Sequence, residues 1–488
     1  MEVIRRLPHQ DGKRLKVLFV EPPKEQWFVM GEYLPPPYGI IQLAAYLEKA
    51  VKDLEVEVLD CNAKNVDWKD LECRLEAFQP DIVASSSLAT CNTYVVARTL
   101  ETAKKVNPNT LTVTGGQHFT ATAQESLETF ASVDVVVRGE GEQTLAELAE
   151  ARRKKAMLSG IGGISFREGG RIVHNLPRPM IEDLEELPYP GYHLVKDTVR
   201  KYHFSVMAGR NSGFALVEGA RGCSHECTFC TQWQHWQGKC RAKSPGRIAD
   251  EIEFCHQNFD SKFVWLTDDN LGAGQRIKEV ADEIIKRKMP DDVTWFVQAR
   301  CDDIVRNREA LPRLRRSGLN WVLLGVENSD PSTLESYRKG ITANDAREAV
   351  RLLKENGIFA HVMLIIGNRK DTEKSIAGLC EFADELDPDF VMFGILTPFP
   401  GTAVFEEARR NGWIMDCNWS HYDMVHAIMP TETLSTKEVQ EQLYECYRRF
   451  YGSWSRRFRG LFSSNSLKRR VNWYMASKGL MRQFKALF

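Results

Sequence analysis

The chain has 488 residues, 43% of them hydrophobic and 27% charged, and this length is enough for two or three domains with cores of their own. The net charge of −1 gives no support for a nucleic-acid partner. Nine of the twelve cysteines are scattered without a regular pattern, which predicts a reducing compartment. The chain also lacks an apolar run of about 18 residues, and its N-terminus is polar and basic without a signal peptide, so we expect a cytoplasmic protein.

Residues 15–155 alternate between short apolar runs and amphipathic stretches, which predicts a Rossmann-like α/β domain. This spacing predicts a parallel sheet with helices on both faces, and ligands of such sheets bind at the carboxyl ends of the strands. The predicted strands are 15–21, 56–60, 81–87, 111–116 and 133–137, and the predicted helices are 36–50, 71–78, 93–106 and 143–153.

Small and polar residues follow three of these strands, in the segments Asp60-Cys-Asn62, Ser86-Ser-Leu88 and Gly115-Gly116. The set resembles the cobalamin-binding domain, whose fullest pattern is D-x-H-x-x-G, then S-x-L, then G-G. The resemblance implies that cobalamin contacts Asn62, Ser86, Leu88, Gly115 and Gly116. Asn62 stands where that pattern has a cobalt-ligating histidine, so we expect base-off cobalamin without a protein histidine ligand. A flavodoxin-like domain that binds another nucleotide, or nothing, is the alternative.

Residues 156–200 show little periodicity and are predicted to be a linker. Within it, the segment 164–173 predicts a small hairpin that turns on Gly169-Gly170. The acidic, proline-containing stretch 181–191 predicts an exposed connector.

Residues 201–420 are predicted to form a partial (β/α)6 barrel of the TIM type. Chemistry in such barrels gathers at the carboxyl ends of the strands, where this chain places most of its polar strand residues. The predicted strands are 214–217, 263–270, 294–300, 321–327, 361–367 and 390–397.

The loop after the first barrel strand contains Cys223, Cys227 and Cys230 at C-x3-C-x2-C spacing. Three thiolates leave one iron of a 4Fe–4S cubane free to bind a substrate or cofactor. This spacing, with the aromatic Phe229 before the third cysteine, resembles the signature of the radical S-adenosylmethionine (SAM) superfamily, whose open iron chelates SAM. A zinc site with Cys240 as fourth ligand is the alternative.

The same resemblance assigns SAM contacts to residues at three strand ends. Asp268 and Asp269 stand in the place of the motif that holds the methionine amino group. Arg300 suits the SAM carboxylate because a guanidinium pairs with a carboxylate in a fork, and Gln298 lies on the same strand. Glu327 suits the ribose hydroxyls or the amino group. Ordinary surface ion pairs are the alternative for these residues.

Gly367 falls where the family usually shows G-x-P-G around its adenine contact. Asn368-Arg369-Lys370 replaces the proline and glycine, so this chain departs from the family at that point. The adenine contact expected at Gly367 therefore lacks its usual neighbours.

Residues 421–488 are predicted to be a helical, basic and aromatic C-terminal region, with a helix over 436–447. From 448 to 488 the chain contains 11 Lys and Arg and no Asp or Glu. Such a segment could lie on an anionic membrane surface, bind an acidic or lipid-like substrate, or cap the barrel.

The segments Ala220–Cys223, Gln232–Trp236 and Tyr447–Tyr451 resemble the anaerobic magnesium-protoporphyrin IX monomethyl ester oxidative cyclase subgroup and related C-methylases. The resemblance implies a cobalamin-dependent radical SAM enzyme that acts on an unactivated carbon of a small-molecule substrate, either large and planar or lipid-like. C-methylation ranks first and oxidative cyclisation second, and a ferredoxin or flavodoxin would donate the electron. An iron–sulfur electron carrier or sensor, and a zinc-stabilised binding module, are the alternatives from other classes.

Overall fold

Residues 15–174 are called the first half below and residues 203–478 the second half. The first half forms α/β layers around a mainly parallel sheet. The computed structural model describes residues 14–24, 33–86, 89–208, 213–463 and 465–478, so Leu88 lies outside the described residues. The elements of this half are β1 Leu15–Glu21, β2 Tyr33–Leu34, α1 Tyr38–Ala50, β3 Leu54–Asp60, α2 Cys61–Lys64, α3 Trp68–Phe78, β4 Ile82–Ser86, α4 Thr93–Val106, β5 Leu111–Gly115, α5 Gln117–Ala121, α6 Ala123–Thr129, β6 Val135–Val137, α7 Glu142–Lys154, β7 Ile164–Glu168 and β8 Arg171–His174.

The sheet of this half has the strand order β3-β1-β4-β5-β6-β7-β8, and its first five strands are parallel. Successive side chains of a strand point to opposite faces. On β1, Val17 and Phe19 pack with α1 and α7 in one core cluster, and Leu18 and Val20 pack with α3 and α4 in another. The continuous apolar run of β1 is therefore explained by helices on both faces.

The predicted hairpin at 164–173 is present, and it lengthens the first sheet. β7 pairs antiparallel with β6 and with β8, and Gly169 and Gly170 both have positive φ angles, of 56° and 78°. Glycine adopts such angles without the steric cost of a Cβ atom.

The second half forms a curled half-barrel of six parallel strands in the order β10-β13-β14-β15-β16-β17. This confirms the predicted partial (β/α)6 barrel. The elements are β9 His203–Phe204, α8 Ser205–Ala208, β10 Gly213–Val217, β11 Ala220–Arg221, α9 Gln232–His235, β12 Arg241–Ala242, α10 Pro245–Phe259, β13 Ser261–Leu266, α11 Gln275–Lys286, β14 Thr294–Arg300, α12 Cys301–Arg306, α13 Leu311–Arg316, β15 Leu319–Glu327, α14 Pro331–Ser336, α15 Ala343–Glu355, β16 Phe359–Ile366, α16 Glu373–Leu386, β17 Phe390–Ile395, α17 Ala403–Arg410, α18 Thr436–Gly452, α19 Trp454–Leu461 and α20 Ser466–Lys478.

The C-terminal helix α18 covers the outer edge of the half-barrel at β17. The Tyr447 hydroxyl donates to the carbonyl of Phe393 at 2.8 Å and accepts from its N–H at 3.1 Å. The Tyr451 hydroxyl does the same at Val391, at 2.6 and 3.0 Å. An edge strand presents unpaired backbone groups that must be satisfied or covered. Helix α18 therefore covers this edge of the half-barrel. No helix among the described residues is long and apolar enough to cross a membrane.

We expect the double substitution Tyr447→Phe and Tyr451→Phe to lower the free energy of unfolding. Each buried backbone group left without its partner costs about 1–3 kcal/mol. Urea unfolding followed by tryptophan fluorescence measures the loss, and each single substitution should give about half of it. A double variant as stable as the wild type would show that the two hydroxyls are dispensable at this edge.

Candidate active site

The loop that carries the three cysteines is closed at its base by the short antiparallel pair β11 and β12, in which Arg221 lies opposite Arg241. Gly222 opens the loop with a φ of +94°, and a Cβ atom there would come within 2.0 Å of the Lys239 carbonyl oxygen. Only glycine fits this position, because any side chain would clash with backbone in an already unfavourable conformation. The β11–β12 pair and Gly222 thus form a narrow base for the cysteine loop, which is called the neck below.

Asp268 and Asp269 hold this neck from the end of β13. The fully buried Asp268 carboxylate accepts from the N–H groups of Gly219 and Ala220 at 2.7 and 2.8 Å, and Asp269 accepts from Gly222 N–H at 3.1 Å. Burial raises the pKa of Asp268 to about 6 and that of Asp269 to about 7. Both aspartates therefore position the loop backbone, and their expected contact with the SAM amino group stays a prediction.

The three cysteine side chains differ in exposure, since Cys227 is buried and the other two are partly exposed. Burial raises the pKa of all three thiols, that of Cys230 to about 12, so thiolates there need a stabilising metal or cation. No three His, Cys, Asp or Glu side chains among the described residues converge on one metal ion. A cubane requires no such convergence because each thiolate binds a different iron. The three-thiol donor set therefore fits a cubane cluster.

Neighbouring backbone and aromatic contacts fix the middle of the loop. Thr228 donates its N–H to the Tyr337 carbonyl and its hydroxyl to the Ser336 carbonyl, both at 3.0 Å. Phe229 packs edge-to-face on Tyr337, with ring centroids 5.0 Å apart. The indole N–H of Trp233 donates to the Cys227 carbonyl at 3.2 Å. The segment just after α14 is thus a direct support of the cysteine loop.

Arg300 and Glu327 are joined by Lys339, a residue that the sequence does not mark as part of the site. The Arg300 guanidinium donates to the Lys339 carbonyl at 2.6 Å, and Lys339 Nζ donates to Glu327 Oε1 at 2.7 Å. All three side chains are less than a tenth exposed. Arg300 Nη1 is buried without a hydrogen-bond partner among the described residues, so it can receive an acceptor such as a carboxylate.

Gln298 and Gly367 lie at the ends of their strands, as the sequence predicts. The Gln298 carbonyl accepts from Leu271 N–H at 2.8 Å, and its side chain is partly exposed. Gly367 has a φ of +79°, and a Cβ atom there would come within 3.2 Å of Val439. Gly367 is thus required by the backbone turn, and neither residue's contact with SAM is tested by this geometry.

The expected cobalamin residues among those described, which are Asn62, Ser86, Gly115 and Gly116, lie at the carboxyl edge of the first sheet. Asn62 follows the outer strand β3, and its amide binds the loop after β1, accepting from Lys24 N–H at 3.2 Å and donating to the Pro22 carbonyl at 2.9 Å. Ser86 and Gly115 pair across β4 and β5, and Gly116 turns with a φ of +95°. The switch point of such a sheet, where ligands bind, lies between β1 and β4.

The first-domain loop after Gly116 contacts the cysteine loop directly. The Gln117 amide donates to the Gln232 side chain at 2.6 Å and accepts from the Thr231 hydroxyl at 2.8 Å. Thr231 and Gln232 come immediately after Cys230. Both segments adjoin residues that the sequence predicts to be functional, but no local sequence pattern predicts that they contact each other.

A buried ion network also joins the two halves. Arg221 donates to Glu140 at 2.7 Å, to Glu142 at 2.6 Å and to Glu218 at 3.0 Å. Arg241 donates to both Glu140 oxygens, at 3.0 and 2.9 Å. The side chains of this network are less than a tenth exposed, except that of Glu218. The network fixes the cysteine-loop neck to the loop that follows β6.

Comparison with known proteins identifies both halves. The radical SAM superfamily profile matches residues 217–383, and the B12-binding domain profile matches residues 31–149. An uncharacterised methyltransferase of Pyrococcus horikoshii is 30% identical over 444 residues, which cover 90% of this chain and 93% of that protein. The anaerobic magnesium-protoporphyrin IX monomethyl ester cyclase of Cereibacter sphaeroides is 32% identical over 426 residues, 85% of this chain and 67% of that protein.

A solved structure shares the complete architecture. The radical SAM methyltransferase TsrM of Kitasatospora setae, with cobalamin and a 4Fe–4S cluster bound, aligns over 97% of this chain and 99% of its own with a TM-score of 0.71. The identity is 17%, so this likeness shows a common fold.

Proposed function

This chain belongs to the cobalamin-dependent radical SAM enzymes, and we propose that it transfers a methyl group to an unactivated carbon of a small molecule. The observation that carries the proposal is the pair of hydrogen bonds in which Gln117 accepts from Thr231 and donates to Gln232. They hold the loop expected to border cobalamin against the loop expected to hold the cluster. An electron carrier or sensor would need no such contact between two cofactor loops.

The chain's own residues supply attachment and placement. When bound, the cluster supplies the electron that cleaves SAM to a 5′-deoxyadenosyl radical, and cobalamin supplies the methyl group. The three motif cysteines would hold the cluster, and the free Nη1 of Arg300 would bind the SAM carboxylate. Glu327, whose φ of +63° is rare for a residue with a side chain, would bind the ribose hydroxyls or the amino group.

Cobalamin is proposed to bind base-off without a histidine from the Asn62 loop. The Asn62 amide is already bonded to the backbone of the loop after β1, which supports a structural role for it. The absorption spectrum of the protein-bound cob(II)alamin distinguishes base-off from base-on binding. A base-on spectrum would contradict this part of the proposal.

A reduced ferredoxin or flavodoxin is proposed as the electron donor, and replacing dithionite by either protein in the SAM-cleavage assay tests this.

Peripheral membrane contact through the basic C-terminal region is a further proposal. The exposed Phe462 and Trp473, which are 76% and 55% exposed, support it. The protein should sediment with vesicles that contain anionic lipid. Equal sedimentation with vesicles that lack anionic lipid would exclude the proposed membrane contact.

The distinguishing experiment is anaerobic incubation of reconstituted protein, with and without cobalamin, with methyl-deuterated SAM and a reductant. We expect cobalamin-dependent S-adenosylhomocysteine besides 5′-deoxyadenosine, because methyl transfer releases the demethylated product. If 5′-deoxyadenosine forms and S-adenosylhomocysteine does not, methyl transfer is wrong. Oxidative cyclisation, which the 32% identity to the cyclase favours as second candidate, then takes its place.

A further inference from the structure

We propose that a pocket between the two halves binds one oxyanion group, a carboxylate or a phosphate, of a small molecule. The pocket has a volume of about 200 Å³. The loop after β6, the connector 177–180 and helix α9 form its wall, which includes Arg138, Gly139, Glu140, Arg178, Gln234 and His235. Pockets that bury a drug-sized molecule measure about 300–1,000 Å³. This pocket therefore fits one functional group with a short stem.

Arg138 brings to this pocket a positive charge that no carboxylate balances. Its Nη2 donates to two backbone carbonyls, those of Ile164, at 3.1 Å, and of Asn175. Its Nε is buried without a hydrogen-bond partner, and among the described residues no acidic side chain forms an ion pair with it. A partly buried guanidinium with free N–H groups and no counter-ion is suited to a carboxylate or a phosphate.

The acidic side chain in the described lining, Glu140, is already neutralised. Arg221 donates to its Oε1 at 2.7 Å, and Arg241 donates to both of its oxygens at 3.0 and 2.9 Å. Arg178 adds a second guanidinium to the lining, and its partner Glu147 is 48% exposed, so solvent weakens that pair. The charge left to act on a ligand in the pocket is therefore positive, which favours an anion.

Two further features of the wall provide a hydrogen-bond donor and open space. The Nδ1 of His235 is buried without a partner among the described residues. Burial lowers the pKa of His235 to about 4, so at neutral pH the ring is neutral and has one N–H to donate. A Cβ atom on Gly139 would meet no atom within 4 Å, so the backbone borders open space at this point.

The position of the pocket connects it with the proposed reaction. His235 is the fifth residue after Cys230, and Glu140 belongs to the buried network that joins the two halves. An anionic group held here would anchor one end of the substrate against both halves. This step rests on the proposed function, and it narrows the substrate to small molecules that carry a carboxylate or a phosphate.

The test is calorimetric titration of the full-length, reconstituted protein with inorganic phosphate and, separately, with acetate. We expect at least one of the two anions to bind at a single site, and the anion that binds identifies the group. Arg138→Gln removes the charge and keeps an amide donor for the two carbonyls, and it should weaken binding about tenfold or more. The matched control is Arg98→Gln, because Arg98 is an exposed cation of the first half that packs on Trp68 outside the pocket.

A second variant guards against a folding defect in Arg138→Gln. His235→Phe leaves Arg138 in place, removes the ring N–H and should also weaken binding, and urea unfolding checks that both variants are folded. If neither anion binds to a protein that cleaves SAM, or if both variants keep the wild-type affinity, the proposed anion site is wrong. If an anion binds but SAM stays intact in a protein with its complete cluster, the proposed function is wrong and the anion site stands.

Discussion

We expect replacement of Cys227 by alanine to abolish SAM cleavage and replacement of Cys240 by alanine to leave it near the wild-type rate. Each iron of a cubane needs its own ligand, and the protein supplies three thiolates. Loss of one of them leaves an iron without its protein ligand. Cys240 is exposed and lies next to β12 at the base of the loop. A zinc site with Cys240 as fourth ligand would make the two variants equally damaging.

The measurement is iron and sulfide content after anaerobic reconstitution, together with 5′-deoxyadenosine formed per cluster. We expect Cys227→Ala to retain little iron and to form no detectable product. Cys240→Ala serves as the matched control in the same loop. Equal metal loss in both variants, with zinc in the purified wild type, would refute the cubane assignment.

We expect replacement of Arg221 by methionine to destabilise the protein by about 3–5 kcal/mol at neutral pH. The substitution leaves the buried Glu142 without its arginine partner and leaves Glu140 with Arg241 alone. Arg221 makes three ion pairs in the network between the two halves, with Glu140, Glu142 and Glu218. The loss should also separate the Gln117 contact that joins the two cofactor loops. Urea unfolding and cobalamin retention on gel filtration measure the two effects.

The loss should depend on pH in a defined direction. Burial tends to raise the pKa of Glu140, but Arg221 and Arg241 hold it below its usual value of 4.5. A lowered pKa contributes stability above the ordinary pKa and loses it as the pH falls. Without Arg221, Glu140 becomes easier to protonate. The difference in unfolding free energy between the wild type and the variant should therefore narrow below about pH 5.

Arg351→Met is the control for this prediction. Arg351 also binds two glutamates, Glu348 and Glu355, but on the exposed face of α15. Exposed pairs contribute about 0–1 kcal/mol. If both arginine variants lost the same small free energy, the buried network would not carry the coupling between the halves.

Much of the fold is predictable from local patterns in the sequence. Apolar runs ending at glycine, proline or polar residues predict the parallel strands of both sheets, and the helix 93–106 has the predicted bounds. The six-stranded half-barrel follows from the alternation of such runs with helical stretches. The hairpin at 164–173 was predicted, but its pairing with β6 was not, because local turn chemistry does not select a third strand.

The site is only partly predictable for the same reason. The cysteine motif is local, and so it is visible in the sequence. Lys339 lies 12 positions from Glu327 with a helix between them, and Arg221 is 81 positions from Glu140. No local sequence pattern predicts which residues at such separations contact each other. Asp268 and Asp269 are predicted from the sequence to contact SAM, whereas their observed partners are backbone N–H groups of the cysteine loop.

The central claim is that Cys223, Cys227 and Cys230 hold a cluster that cleaves SAM reductively. Its most direct test is anaerobic reconstitution with iron and sulfide, addition of SAM and dithionite, and mass analysis of the products. The account predicts 5′-deoxyadenosine, formed only with reductant and a full cluster. Intact SAM after reduction of a protein that contains its complete 4Fe–4S cluster would contradict it.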